Sequence, residues 1–258
     1  MRFRAHLIFI LTLAIPVLSH GWAQKGHDVT ANIAQRHLTE KARHAVDSIF
    51  NGRSLVYWSN WMDNASHTDK YAYTLTWHYR NIDEGQTYED VPRNTEGDVT
   101  VAIQELISVL KSDTISNQNS EIALRMLTHL VADLHNPVHM GHASDLGGNS
   151  IPVNFFDKAT NLHSAWDFDM VESAHNWSYS EWTEQIDILG EVDIDEIVKG
   201  DIDAWGRETY LIVTDIYETT PPNYEISYDY IAKWTPAIEN QLLKGGLRLA
   251  SILNNIWQ

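Results

Sequence analysis

The stretch THLVADLHNPVHMGHASDLGGN, residues 128–149, crowds His129, His135, His139 and His142 together with Asp133 and Asp145 among largely apolar neighbours. Burying polar groups without partners costs several kcal/mol each, so a plain core helix would not collect them. His129 and Asp133 are four apart, so on a helix they project from one face. Pro137 disturbs or ends that helix, because proline lacks an N–H and clashes with the preceding turn. His139 can then approach from a different direction. The stretch TNLHSAWD, residues 160–167, repeats the spacing with His163 and Asp167. A single such pair is most simply a hydrogen-bonded His–Asp couple. Two pairs with further histidines close by favour a divalent ion. Imidazole and carboxylate without sulfur suit zinc and other borderline metals.

Working outward, the chain reads as helical almost throughout. Amphipathic spacing predicts helices over residues 27–38, 98–110, 120–135, 161–172, 180–189, 201–218 and 226–256, and Thr39 can cap another to about Phe50. Residues 112–119 and 219–223 read as linkers between helices. Val153 to Phe156 reads as a short extended piece, and no set of alternating segments builds a large sheet. The expected fold class is all-α: a single, mostly helical domain. With 258 residues, 43% of them hydrophobic, the chain is long enough for one well-buried core.

The chain has no cysteine, which excludes disulfides and thiolate metal sites. Its formal charge of −17 argues against a broad basic groove for duplex DNA. Clustered carboxylates that bind cations lose their negative character locally, so nucleic acid stays open as a substrate. Residues 1–21 are expected to be a signal peptide: Arg2 and Arg4, a mostly apolar run from Leu7 to Leu18, then Ser19 and Gly21 at the small-residue positions of a cleavage site. The expected functional domain is residues 22–258, exported to the periplasm or secreted, with Trp22 as its new N-terminus.

Further segments are weak singly: His27 in GWAQKGHD, Asp63 in SNWMDNA, and His78 in LTWHYRN. His37, His44, His67 and His175 read as ordinary residues. In chain order, WAQKGH, NWMD, HYRN, HLVADLHNPVH, GGN, NLHSAWD and QLLKGGLRLASILN together resemble the zinc-dependent single-strand nucleases of the S1/P1 type, related in fold to zinc-dependent phospholipase C. The resemblance covers nearly all of the chain from Trp22 onward.

The resemblance implies an all-helical fold with three zinc ions in one cleft. It places Asp63, His78, His129 and Asp133 on one ion. Trp22, through its amine and carbonyl, would hold a second with His27 and the shared Asp133. His139, His163 and Asp167 would hold the third, leaving His135 and His142 to support the ligands or the pocket. Asp63 would also orient or deprotonate the nucleophile. Tyr79 aligns with a base-stacking aromatic, and Asn81 and Asn149 with positions that touch the base edge. The implied activity is endonucleolytic hydrolysis of single-stranded DNA and RNA to 5′-phosphates, with 3′-mononucleotides as further substrates. No membrane insertion and no obligate protein partner are implied. Many relatives carry Lys or Arg three residues after the aspartate of NWMD. Here that position is Ser66, and Arg80 and Lys70 are the candidates to replace it. Some relatives also carry an acid where Asn81 stands, which bears on base preference. A phospholipase C, which generally ends its ligand set in His-x-x-x-Glu, and a non-catalytic zinc-binding protein are the alternatives.

Overall fold

A computed structural model describes Trp22, residues 24–112 and residues 116–258. The expected signal peptide lies outside the described residues. The chain begins with α1 (Gln24–Arg36) and α2 (Glu40–Ile49), the latter capped by the Thr39 hydroxyl accepting from the Ala42 amide. Two short helices, α3 (Leu55–Trp58) and α4 (Trp61–Ala65), and a 3₁₀ helix, Ala72–His78, follow. Then come α5 (Val99–Leu110), whose first amides are accepted by the Asp98 carboxylate, and α6 (Asn117–Leu134), capped by Ser116. The expected linker at 112–119 is therefore shorter, because residues 117–119 already form the first turn of α6.

Single 3₁₀ turns cover Pro137–Met140 and Ala143–Asp145. Strands β1 (Pro152–Phe155) and β2 (Lys158–Asn161) make an antiparallel hairpin. The expected helix at 161–172 is present but broken in character. It runs as α7 (Leu162–Ser164), a π-helical turn (Ala165–Asp169) and α8 (Met170–Ala174). The chain closes with α9 (Tyr179–Ile186), α10 (Glu191–Ile197), α11 (Ile202–Thr219), β3 (Tyr224–Ile226) and the long α12 (Tyr228–Ile256). β3 joins β1 in parallel, giving a three-stranded sheet in the order β2–β1–β3. The mostly helical architecture holds, and this small sheet is its one extended feature among the described residues.

α6 is the centre of the fold. From Met126 to Leu134 every residue is buried, polar ones included, as expected of a helix covered on all sides. One core cluster gathers residues of α2, α5 and α6, and a second gathers Trp22, Trp166, Trp182 and Trp234 around α1, α9 and α12. Behind the end of α6, His135 is fully buried, its Nδ1 against the Val131 carbonyl at 2.7 Å and its Nε2 accepting from Arg248 at 3.0 Å. Gln241 donates to the His135 carbonyl at 2.8 Å. His135 thus braces α6 from α12.

The glycine pair within QLLKGGLRLASILN has a packing cause. A Cβ on Gly246 would sit 2.5 Å from the Ile33 Cβ and 3.0 Å from the Thr30 carbonyl, so α12 and α1 approach nearly backbone to backbone there. Gly246→Ala gains ~1 kcal/mol of helix propensity, but overpacking against a β-branched Cβ costs about 1–3 kcal/mol. The variant should unfold several degrees below the parent in a thermal melt, and an equal or higher midpoint would show that the interface gives way freely.

Candidate metal centre

Seven elements deliver acidic and imidazole side chains to one place. α1 brings His27, α4 brings Asp63, and the end of the 3₁₀ helix Ala72–His78 brings His78. α6 brings His129 and Asp133, and the turn Pro137–Met140 brings His139. Two backbone bonds zip the segment after His78 to the turn bearing His139: the Arg80 amide donates to the His139 carbonyl (2.8 Å), and the Ile82 amide to the Gly141 carbonyl (2.9 Å). The hairpin delivers His163. Asn161, at the end of β2, caps α7 by accepting from the Ser164 amide at 2.7 Å. The π-helical turn carries Asp167. Such turns occur frequently at functional sites.

Three triads result: His27, His129 and Asp133; Asp63, His78 and His129; and His139, His163 and Asp167. Within each, the ligand atoms lie within 4.8 Å of one another, so each could hold a metal ion. Asp133 sits between the triads, its Oδ2 2.9 Å from His78 Nδ1 and 3.2 Å from His129 Nε2. Its Oδ1 lies 3.6 Å from both His27 Nε2 and His139 Nδ1. His129 Nε2 is also 3.2 Å from Asp63 Oδ1.

The imidazoles are aimed from behind. His129 Nδ1 faces the Ser59 carbonyl (2.8 Å), His139 Nδ1 the His78 carbonyl (2.7 Å), and His163 Nδ1 the Gly147 carbonyl (2.6 Å). Each Nδ1–H donates to its carbonyl and turns Nε2 toward the carboxylates, as metal-ligating histidines commonly do. Gly147 has φ +66°, and a Cβ there would lie 2.9 Å from the Val138 carbonyl, so this turn requires glycine. The Asp145 carboxylate holds the turn, accepting from the Gly148 amide (2.6 Å) and the Tyr217 hydroxyl (2.8 Å). His142 packs on Tyr217, ring centres 4.0 Å apart and planes tilted by 37°, so it supports this loop. Asn136 donates to Asp167.

Protons alone do not satisfy the cluster. Burial opposes charge on His129, but Asp133 and Asp63 hold its proton well above the ordinary range. Burial is likewise outweighed at His139, which Asp133 and Asp167 raise to about 9. Asp63 and Asp133, also buried, are kept ionised chiefly by His129. His27, by contrast, is driven to about 3 by burial and by His129, and burial lowers His78. Both ring nitrogens of His27, together with His78 Nε2, Asp133 Oδ1, His163 Nε2 and Asp167 Oδ2, are buried without a hydrogen bond. His163 Nε2 and Asp167 Oδ2 are only 3.1 Å apart, yet they are not in hydrogen-bonding geometry. Each such atom costs about 1–3 kcal/mol if nothing meets it. Divalent cations would meet one nitrogen of each imidazole and the carboxylate oxygens, so the donor set fits a metal.

Two of the triads contribute side chains to the wall of a cavity of about 220 Å³, lined by Asp63, Ser66, His67, Leu75, His78, Tyr79, His139 and His163. Tyr79 is on its wall, as the stacking role requires. Asn81 and Asn149 are not in that lining. Asn81 is half-buried with an unpartnered Oδ1 near Gly147, and Asn149 donates to the Leu146 carbonyl at 2.8 Å. Trp22 is fully buried immediately before α1, packed against Gly26.

Neither cation suggested by the sequence reaches the cavity wall. Arg80 is buried and donates to the Tyr88 and Val91 carbonyls (2.7 and 3.2 Å), and Lys70 stands 4.9 Å from the Tyr71 ring. His67, read above as ordinary, does reach it, with Nδ1 2.7 Å from the Asp63 carbonyl. The signal was there: His67 follows Asp63 by four, the spacing of the other two pairs. His37, His44 and His175 pair with Asp187, Glu40 and Glu239, away from the cleft.

A profile of the S1/P1 nuclease family matches residues 22–258. The chain belongs to that family. It is 27% identical to Endonuclease 4 of Arabidopsis thaliana, covering 96% of this chain and 94% of that one. To Nuclease S1 of Aspergillus oryzae it is 27% identical, over 95% of each chain, and to Nuclease P1 of Penicillium citrinum 25%, over 91% of this chain and 97% of that one. This S1/P1 nuclease is therefore a metal-dependent hydrolase. No helix among its described residues is long and apolar enough to cross a membrane.

A metal that binds only the folded chain adds about 2.7 kcal/mol at a free concentration a hundred times its dissociation constant. For a domain this size that is roughly 5–10 °C in melting temperature. Chelation should lower the midpoint by that much, and restored metal should return it. A melt indifferent to chelator would mean that protons, not metal, fill the cluster.

Proposed function

We propose that this S1/P1 nuclease cleaves unpaired DNA and RNA strands to 5′-phosphate and 3′-hydroxyl ends, and releases phosphate from 3′-mononucleotides. The observation that carries the reading is three His–carboxylate triads gathered about Asp133 and His129, two of which help wall one cavity together with Tyr79. Asp63, His78, His129 and Asp133 would hold one zinc, and Trp22, His27 and Asp133 a second. His139, His163 and Asp167 would hold the third. Zinc there supplies Lewis acidity, neutralising phosphate charge and bringing the pKa of water to ~7. The Asp63 carboxylate, kept ionised by His129 against its burial, accepts the hydrogen bond of the attacking water and aligns it. Attack at phosphorus in line with the 3′ oxygen forms one P–O bond and breaks the other. Tyr79 stacks the adjoining base, which must be unpaired to reach it.

Side-by-side digestion of single-stranded DNA, duplex DNA, RNA, 3′-AMP and phosphatidylcholine at fixed salt and zinc tests this. Single strands should far outpace duplex, 3′-AMP should release phosphate, and the lipid should be inert. Elemental analysis should return three zincs per chain. Equal rates on single strands and duplex would remove the base pocket, lipid turnover would favour a phospholipase, and one zinc in a fully active sample would remove the three-ion assignment.

The same reading makes residues 1–21 a signal peptide and the mature enzyme periplasmic or secreted. In support, the family match begins at Trp22. While residue 21 is attached, the Trp22 nitrogen is an amide whose lone pair is delocalised, a poor ligand. Protein beginning at Trp22 should bind three zincs, whereas protein with one extra residue before it should lose the second zinc and most activity while keeping its helical content. Three zincs and full activity in the extended form would exclude the N-terminus as a ligand.

A further inference from the structure

The 3₁₀ helix Ala72–His78 borders two hollows. Its far end, with Tyr79, walls the metal cavity, together with Leu75. Tyr73 and Trp77 of the same helix wall an open groove of about 420 Å³ floored by Leu106 and Val109 of α5 and Ile122 and Met126 of α6. The helix is only seven residues long, so the two hollows lie on one short stretch of chain. Along this one segment Tyr73, Leu75 and Tyr79 are 57%, 43% and 37% exposed. Large apolar side chains in an exposed row mark a contact surface.

Tyr73 is exposed but not loose. It meets Trp77 edge to face, ring centres 5.4 Å apart and planes at 79°, and the Trp77 indole is itself fixed by donating to the Glu96 carbonyl at 2.9 Å. Three residues before Tyr73, Lys70 is exposed, stands 4.9 Å from the Tyr71 ring and makes no ion pair among the described residues. Burial and Tyr71 raise the Tyr73 hydroxyl while Lys70 draws it back, so the ammonium's field reaches that ring. In a chain of net charge −17 such a cation beside a held, exposed ring is locally distinctive. An aromatic face for a base with a cation for the next phosphate is the chemistry of single-strand binding.

We infer that Tyr73, Trp77 and Lys70 form a second nucleotide subsite, where a base of the same strand stacks on Tyr73 and the neighbouring phosphate meets Lys70. The subsite rests on the single-strand reading above. Its occupant is nucleic acid because the groove and the metal cavity share one short element, so a strand seated at Tyr79 runs on along it.

The test measures steady-state cleavage of an eight-nucleotide single strand and of 3′-AMP by zinc-loaded enzyme. Tyr73→Ala should raise KM for the octamer roughly 5- to 100-fold, the range for one lost stacked base. It should leave 3′-AMP hydrolysis and zinc content unchanged. Tyr73→Phe should behave as the parent, because stacking needs the ring and not the hydroxyl. Lys70→Ala should flatten the salt dependence of octamer KM by about 0.7 in log–log slope, as for one lost phosphate contact. Parental octamer KM in Tyr73→Ala would overturn the subsite, and so would an equal loss on 3′-AMP, which would mark Tyr73 as structural. A parent enzyme that cleaves 3′-AMP but shows the same KM for dinucleotide and octamer would overturn the subsite alone. A parent inert on both substrates would overturn the nuclease reading, and the subsite with it.

Discussion

Asp133 has no exposure to solvent, and a lone buried carboxylate is among the most costly things a fold can contain. It sits on α6, the most enclosed helix, and four histidines from α1, α6 and the segments at 78 and 139 close around it. Their placement is the condition on which its burial is tolerable. α6 cannot turn without carrying Asp133 away from these partners, and α1 cannot slide without carrying His27. The tight seam of α1 on α12 at Gly246, and the bracing of His135 by Arg248, set the position of the charged centre as much as they fill the core.

Around that centre the backbone does the aiming. The carbonyls of Ser59, His78 and Gly147 each fix one imidazole. They belong to short irregular segments, because a carbonyl inside a regular helix is already committed to its own ladder. The left-handed turn at Gly147 and the Asp145–Tyr217 clasp belong to this aiming system: they decide where one carbonyl points, and so where His163 faces. A longer, smoother connection would have left those nitrogens free to rotate.

These two layers explain what the sequence disclosed. Long helices with a cap at Thr39, Asp98 or Asp201 were legible, because periodicity accumulates over ten or more residues. The paired spacing in HLVAD and HSAWD gave the metal character directly. The 3₁₀ helix at 72–78, the π-helical turn at 165–169 and the helices at 55 and 61 were not legible, since four to seven residues hold too little periodic signal. Tyr79 is on the cavity wall, while Asn81 and Asn149 lie outside its lining, Asn149 in a turn with left-handed backbone at 146–148. His67 follows its carboxylate by four where His129 and His163 precede theirs, so the same helical spacing occurs there in reverse order.

The charge distribution has a consequence of its own. A protein of net charge −17 repels a polyanion at long range. Asp63, Asp133 and Asp167 contribute three negative charges at the centre. Divalent ions held by these carboxylates would offset that charge and concentrate positive charge beside a cavity of about 220 Å³. Attraction then acts on the phosphate that enters that cavity far more than on a backbone lying across the surface. A flexible single strand can present one phosphate there and stack its bases on the neighbouring aromatics. A duplex is stiff and keeps its bases paired, so it meets mostly the repulsive exterior. On this view preference for unpaired strands arises twice, once from the aromatic wall that needs a free base and once from where the positive charge is kept.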